Sequence, residues 1–251
     1  MRKLGISIYP GKTTEEELLN YIDKSFEAGF SRIFSCLLSS TKDKEIILKK
    51  FKKVNYYAKE KGFEIILDVN PRVFDDLGIS YNDLTFFKEM GADGIRLDIG
   101  FTGLQESIMT FNKENLKIEI NMSNDTHYID TIMDYRPNKN NLIGCHNFYP
   151  HIHTGLGLEF FKKCTENFTK YGLRTAAFIT SQSKDSFGPK PVTQGLPTLE
   201  MHRNLPLIVQ FKHFMALETI DDIIISNCYP TDEELEEFKK VRKDMVSFSI
   251  E

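Results

Sequence analysis

Three acidic residues lie in short apolar segments of the sequence, in a pattern that suits acid–base chemistry. Asp68 and Asp98 come near the ends of two such segments, and Glu119 lies inside the next one along the chain. Carboxylates brought close together repel, and this repulsion raises the pKa of at least one of them. A neutral carboxylic acid beside an ionised carboxylate is what glycoside hydrolysis requires. These three residues are therefore candidate catalytic groups, and Glu200 is a further candidate.

A second set of polar residues could recognise a sugar. The stretch His146-Asn147-Phe148-Tyr149-Pro150 ends another apolar segment and offers an imidazole, an amide and a phenol. These groups donate and accept the hydrogen bonds that sugar hydroxyls make. The candidates for substrate binding are Tyr9, Asn70, Arg96, Asn121, His146, Asn147, Tyr149 and Arg203.

Arg96 and Asp98 allow two interpretations. They lie two residues apart, so on a strand their side chains point to the same face. A charged group inside a protein is costly unless it is paired or used. The two residues are either a buried structural ion pair or part of the catalytic machinery.

The sequence contains no pattern typical of a metal or nucleotide site. No Cys-x-x-Cys or His-x-x-x-His occurs, and the four cysteines are widely separated. No glycine-rich phosphate loop follows the first apolar segment. Cys145 and His146 are adjacent and could resemble a nucleophile and its base, but on a strand they point to opposite faces, which disfavours a cysteine mechanism. We expect no metal and no cofactor.

The elements that must position these residues alternate regularly along the chain. Short apolar segments are followed by longer amphipathic ones, a pattern typical of β/α units around a parallel sheet. Thr14-Glu15-Glu16-Glu17 resembles a helix start, and glycines 29, 62, 91 and 172 are typical of helix ends. We count eight strands: Leu4 to Tyr9, Arg32 to Leu38, Glu64 to Val69, Gly94 to Ile99, Lys117 to Met122, Leu142 to Phe148, Arg174 to Thr180 and Asp222 to Asn227.

Eight such strands predict an α/β fold of the (β/α)8 TIM barrel type. The length of 251 residues suits one barrel, so we expect a single catalytic domain over residues 1–251. Active sites of these barrels lie at the carboxyl ends of the strands. The long segment from Ser181 to Asn204 follows the seventh strand, and we expect it to form a wall of that site.

Composition excludes several classes of partner. The chain has 32 basic and 36 acidic residues, and both signs are spread along the sequence. The net charge is −4, and the basic residues are not concentrated as they are in proteins that bind nucleic acid. No apolar run reaches membrane-spanning length, and the amino terminus lacks a signal-peptide core. We expect a cytoplasmic protein that acts on a small molecule. The sequence leaves homo-oligomerisation open.

Seven segments carry a specific family pattern. They are Leu4-Gly5-Ile6-Ser7-Ile8-Tyr9-Pro10, Arg32-Ile33-Phe34-Ser35, Asp68-Val69-Asn70-Pro71-Arg72-Val73-Phe74, Gly94-Ile95-Arg96-Leu97-Asp98, Cys145-His146-Asn147-Phe148-Tyr149-Pro150, Arg174-Thr175-Ala176-Ala177-Phe178 and Gly195-Leu196-Pro197-Thr198-Leu199-Glu200-Met201-His202-Arg203. Together they resemble the bacterial 6-phospho-N-acetylmuramidase family, once catalogued as outer surface proteins.

The resemblance implies hydrolysis of the β-1,4 bond after 6-phospho-N-acetylmuramic acid in a disaccharide with N-acetylglucosamine. It places this reaction in peptidoglycan recycling in the cytoplasm. On this basis Arg203, with Arg96 or Arg72, would meet the phosphate or the lactyl carboxylate of the substrate. The family pattern also includes a smaller cyclophilin-like domain after the barrel, which the 251 residues do not contain.

Two other functions remain open at this stage. One is a barrel lyase, isomerase or aldolase acting on a phosphorylated sugar, for which a lysine at a strand end would be the marker. No predicted strand end supplies that lysine. The other is a barrel that binds a sugar phosphate without turning it over.

Overall fold

The computed structural model describes residues 2–37, 43–189 and 191–247. Its eight strands are β1 Lys3–Ile8, β2 Arg32–Cys36, β3 Glu64–Val69, β4 Gly94–Leu97, β5 Lys117–Asn121, β6 Leu142–Cys145, β7 Arg174–Ile179 and β8 Asp222–Ile225. The helices within these ranges are α1 Glu15–Glu27, α2 Lys44–Glu60, α3 Pro71–Leu77, α4 Thr85–Glu89, α5 Leu104–Met109, α6 Tyr128–Asp134, α7 Leu158–Thr169, α8 Leu207–Leu217 and α9 Asp232–Lys239. Short 3-10 turns occur at Lys139–Asn141 and Glu200–His202.

The strands form a closed barrel in which every strand pairs in parallel with the next and β8 returns to β1. This confirms the predicted (β/α)8 barrel and all eight strands. Most of the predicted strands run one to three residues too far at their carboxyl ends. Three of those extra residues, Asp98, Asn147 and Phe148, line the pocket at the mouth of the barrel. Leu38, the predicted end of the second strand, lies outside the described residues.

Local sequence signals set the helix boundaries. Thr14 accepts a hydrogen bond from the Glu17 amide, and the Glu17 side chain caps Thr14 in return, so α1 begins with a capping box. The four predicted helix-end glycines all adopt positive φ angles, between 70° and 89°. Residues with a Cβ atom rarely adopt that conformation, so glycine suits these turns between helix and strand.

A network of buried charges lies inside the barrel at the amino-terminal half of the strands. Arg32 donates to Asp222 at 2.6 Å and to Glu119, and Arg174 donates to the other oxygen of Asp222. Arg32, Glu119 and Asp222 are almost completely buried. Desolvation by burial opposes the charge on Arg32, but the two carboxylates outweigh it and raise the pKa of its guanidinium. The network is therefore an internal structural support.

Replacing Arg32 with Met will leave Glu119 without its cation and Asp222 with Arg174 alone. A buried carboxylate that loses its partner costs about 3 to 5 kcal/mol, so we expect the free energy of unfolding to fall by about that amount. Urea denaturation measures the change. The control is Arg242→Met, which removes an exposed pair with Asp244 and should leave the free energy of unfolding nearly unchanged. Equal stability of the two variants would contradict the structural role of the network.

Candidate active site

A pocket of about 490 Å³ opens at the carboxyl ends of the strands. Its polar lining comes from the ends of β2, β3, β4 and β6, and its apolar lining comes from the segments after β6 and β7. The described residues that line it are Cys36, Asp68, Arg96, Asp98, Asn147, Phe148, Tyr149, Pro150, Pro189 and Leu196. This is the end of the barrel at which the sequence predicts the site.

One guanidinium organises the polar side of the pocket. Arg96 Nη1 donates to Asp68 Oδ1 at 2.6 Å and to Asp98 Oδ1 at 3.3 Å, and its Nη2 donates to the amide oxygen of Asn147. Asp68 and Arg96 are neighbours in the register of β3 and β4, so both side chains face the barrel interior. Because two carboxylate oxygens share one nitrogen, they lie no more than about 6 Å apart.

The environment of Asp68 favours its protonated form. Desolvation by burial, together with the nearby carboxylate of Asp98, raises its pKa to about 6 against the attraction of Arg96. The Cys36 thiol lies 3.5 Å from Asp68 Oδ2. Asp68 can therefore exchange a proton near neutral pH, as a general acid or base must.

Asp98 stands at the mouth of the barrel, one residue after the end of β4. Its backbone N–H donates to the Val69 carbonyl at 2.9 Å, and its carbonyl accepts from Asn121 Nδ2 at 3.0 Å. The Asn121 oxygen in turn accepts from the Ser123 backbone N–H at 2.9 Å. The Asp98 side chain is 32% exposed, so it is fixed at its base and open toward the pocket.

Two polar residues predicted to bind substrate instead hold the backbone around the site. Asn121 fastens the Asp98 carbonyl as described. His146 is fully buried, and its ring nitrogens contact Ser123 Oγ at 3.1 Å and Thr165 Oγ1 at 2.9 Å. Burial and the charge of Arg96 lower the pKa of His146 to about 3, so the imidazole is neutral. Ser123 Oγ also accepts from the Asn147 backbone N–H at 2.7 Å, which places Asn147 against Arg96.

Aromatic residues form another part of the pocket lining. Phe148 packs edge to face on Phe34 and Phe178, with ring centroids 6.0 and 5.0 Å away. Tyr149 lines the pocket and is fixed by a hydrogen bond from its backbone N–H to the Pro197 carbonyl at 3.0 Å. Burial raises the pKa of the Tyr149 phenol, so this side chain remains a neutral donor and acceptor.

Glu200 and Arg203 belong to the segment between residues 181 and 204, which the sequence predicts to form a wall of the site. Their ion pair stabilises this segment. Lys190 of the same segment lies outside the described residues. Arg203 donates to both oxygens of Glu200, at 2.8 and 2.7 Å. Its Nη1 also donates to the backbone carbonyls of Tyr149 and Gln194, at 3.0 and 2.8 Å. Glu200 additionally accepts from two backbone N–H groups of the segment after β6. The ion pair with Arg203 lowers the pKa of Glu200 to about 2, and the pair joins two loops.

Three other predicted residues lie outside the pocket lining. Glu119 belongs to the buried network with Arg32, deeper in the barrel. The Tyr9 hydroxyl donates to the Ser226 carbonyl at 2.5 Å, which ties the end of β1 to the end of β8. The Asn70 side chain caps α3 by accepting from the Val73 N–H at 3.1 Å. Of the twelve predicted site residues, five line the pocket: Asp68, Arg96, Asp98, Asn147 and Tyr149.

Some lining residues were not predicted. Cys36 is the last residue of β2 and the register neighbour of Asp68, so strand-end parity could have identified it. Pro189 and Leu196 come from the irregular segment after β7, where no periodic pattern indicates which side chains turn inward. Within the described ranges, no three His, Cys, Asp or Glu side chains come together as metal ligands. In the same part of the chain, no helix is long and apolar enough to span a membrane.

A protein-family profile matches nearly the whole chain. The profile of the family described as 6-phospho-N-acetylmuramidase, N-terminal, matches residues 4–240. The chain belongs to this family. All five pocket-lining residues predicted from the sequence lie within the matched range, and so do both residues of the Glu200–Arg203 pair. No curated protein matches the chain at a significant level.

Solved structures support the fold of this family member. An uncharacterized protein from B. cereus is 50% identical, with a TM-score of 0.88, and the match covers 97% of this chain and 66% of that protein. A conserved protein from Enterococcus faecalis is 24% identical, with a TM-score of 0.81, over 94% of this chain and 64% of the other. The chain thus spans slightly less than two thirds of the length of both. Thiamine phosphate pyrophosphorylase from Pyrococcus furiosus is 10% identical, with a TM-score of 0.52 over 95% of each chain, and shares the fold alone.

Proposed function

We propose that this protein is a glycoside hydrolase that cleaves the β-1,4 bond between 6-phospho-N-acetylmuramic acid and N-acetylglucosamine. The observation that carries the proposal is the pair Asp68 and Asp98, held by one arginine in the pocket of a chain that belongs to the muramidase family. The reaction would serve peptidoglycan recycling in the cytoplasm, where a small phosphorylated disaccharide is the substrate.

The geometry supports a role for each carboxyl group. Asp68, with a pKa of about 6, is the general acid that protonates the glycosidic oxygen as the bond to N-acetylglucosamine breaks. Asp98 is the more exposed of the two and is the nucleophile that forms a bond to the anomeric carbon of the muramyl sugar. The distance between their nearest oxygens is at most about 6 Å, which lies below the range of about 6.5 to 9.5 Å for inverting glycosidases and allows the spacing of about 5 to 5.5 Å in retaining ones.

The second step releases the muramyl sugar and restores the enzyme. Asp68, now deprotonated, removes a proton from a water molecule, and the water oxygen attacks the anomeric carbon. The bond between that carbon and Asp98 breaks, and its electron pair returns to the carboxylate. Asp68 regains its proton, so both groups return to their starting states.

Other pocket residues bind and orient the sugar. The Tyr149 hydroxyl and the side chain of Asn147 provide polar contacts, and Phe148 offers an apolar surface to a sugar ring. Arg96 holds both carboxyl groups and Asn147 in fixed positions. The acid and the nucleophile therefore keep a constant position relative to each other. Asn121 and His146 are positioning residues, because they act through the backbone of Asp98 and Asn147.

The pocket offers less support to a Schiff-base mechanism. No lysine is among the described residues that line it. An aldolase or lyase that forms an imine needs such a lysine next to the substrate carbonyl.

Incubation with the 6-phosphorylated muramyl disaccharide tests the proposal directly. We expect release of free N-acetylglucosamine, detected by chromatography and mass spectrometry. Retention of the β configuration in the first-formed muramyl product, followed by NMR, would support the assignment of Asp98 as nucleophile. Binding of the disaccharide without any release would refute the hydrolase and favour a sugar-phosphate-binding barrel.

A further inference from the structure

The arginines that the sequence suggests for the substrate phosphate have other partners. Both terminal nitrogens of Arg96 are occupied by Asp68, Asp98 and Asn147. Arg203 is buried and donates to Glu200 and to backbone carbonyls of the loops. Arg72 is 81% exposed, is paired with Asp76 at 3.5 Å and does not line the pocket. A phosphate must therefore find its cation elsewhere.

The usual phosphate position of a TIM barrel is also occupied, by a carboxylate of the protein itself. The loops after the seventh and eighth strands commonly bind phosphate in this fold. Here the Glu234 carboxylate accepts from Ser181 Oγ at 2.6 Å, from the Gln182 N–H at 3.0 Å and from the Thr231 N–H at 2.9 Å. The donors that would hold an anion are thus already satisfied.

Two exposed lysines meet at the loop after β1, and one of them contacts the pocket lining. Lys12 Nζ donates to the carbonyl of Pro189, a lining residue, at 2.9 Å. The Lys50 side chain lies over Gly11, where a Cβ atom would collide with its ammonium group. Both lysines are exposed, and neither forms an ion pair with a carboxylate among the described residues. Because Gly11 and Lys12 are consecutive, the loop after β1 brings the two cations to the same part of the rim.

Two ammonium groups on the same part of the rim, unpaired with any carboxylate that the structure describes, create a local positive potential that attracts a dianion. Lysine binds phosphate as a point charge and does not need the planar geometry of arginine. We propose that Lys12 and Lys50 form the subsite for the 6-phosphate of the substrate. This inference rests on the proposed function and makes the pair the determinant of selectivity for phosphorylated over unphosphorylated sugars.

Kinetics with matched substrates test the subsite. We expect Lys12→Met and Lys50→Met each to lower kcat/KM for the 6-phosphorylated disaccharide by about 10- to 100-fold, because each removes a charge-assisted contact. Hydrolysis of the unphosphorylated disaccharide should stay unchanged. Lys49→Met makes the same change in net charge on the adjacent, exposed residue of α2 and should leave both rates unchanged. Equal losses on both substrates, or no loss on either, would overturn the subsite.

A binding measurement separates this inference from the proposed function. Calorimetry with N-acetylglucosamine 6-phosphate and with N-acetylglucosamine needs no turnover, and neither ligand carries a lactyl carboxylate. We expect the wild-type protein to bind the phosphorylated sugar more tightly than the unphosphorylated one. The double variant, which carries both Lys12→Met and Lys50→Met, should lose this preference. If that holds while the disaccharide is not hydrolysed, the subsite stands and the hydrolase fails. If hydrolysis occurs but the double variant keeps the preference, the subsite fails.

Discussion

Replacing Asp98 with Asn will lower kcat by at least about 1,000-fold and leave the affinity for the disaccharide nearly unchanged. The amide has the same shape but cannot form the bond to the anomeric carbon, so the covalent route is lost. The Asp98 side chain reaches the pocket from a backbone fixed at both its N–H and its carbonyl. The substitution should therefore leave the surrounding structure intact, and the loss will be in the chemical step.

Steady-state kinetics of Asp98→Asn measures the loss of kcat, and calorimetry on the same variant measures its affinity for the disaccharide. Asp185→Asn is the matched control, because Asp185 is an exposed carboxylate on the segment after β7 and does not line the pocket. Its rate should equal that of the wild type. Mass spectrometry of the wild type during slow turnover should find the muramyl group attached to the peptide that contains Asp98. Wild-type rates in Asp98→Asn would remove this residue from the mechanism.

The second large effect is expected at Asp68, where the pH dependence is diagnostic. Burial raises the pKa of this carboxyl group to about 6, and a general acid must be protonated to act. The hydrolysis rate should therefore fall as the pH rises through about 6. Asp68→Asn removes the acid, so we expect a 100- to 10,000-fold loss, on the order seen for general acids, and disappearance of this limb of the pH profile.

The leaving group distinguishes a role as acid from a merely structural role. A muramyl glycoside with an aryl leaving group of low pKa needs little protonation at the glycosidic oxygen. Asp68→Asn should cleave this substrate almost as fast as the wild type does until the covalent intermediate accumulates, and a burst of aryl product would show that. A loss of equal size on both substrates would instead indicate that Asp68 serves only to hold Arg96.

The sequence predicts the face of a strand more reliably than the depth of a residue along it. Alternation of side chains places Asp68, Arg96 and Glu119 inside the barrel, and the structure finds all three there. Alternation does not predict how deep in the barrel each of them lies. The strands of a barrel tilt and are staggered, so register neighbours lie at different depths. Glu119 thus meets Arg32 deep in the lumen, whereas Asp68 reaches the pocket.

Long-range partners explain the other differences. Arg203 and Glu200 are three residues apart, and their attraction for each other could be anticipated, but the carbonyls that surround Arg203 come from two separate loops. His146 is positioned by Thr165, which belongs to the following helix. Such contacts depend on tertiary packing that no local pattern encodes. For the same reason the sequence does not separate residues that contact the pocket from residues that support it.

The charged residues described above lie in the barrel in two tiers, a lower and an upper one. The formal charges within each tier can cancel. The lower tier of Arg32, Arg174, Glu119 and Asp222 is neutral. The upper tier of Arg96, Asp68 and Asp98 is neutral when one of its two carboxyl groups is uncharged. In the mechanism that we propose, the uncharged group is protonated Asp68 before the reaction and esterified Asp98 in the glycosyl-enzyme. In that mechanism, negative charge passes from one side of Arg96 to the other during the covalent step, and the formal charge of the upper tier stays zero throughout.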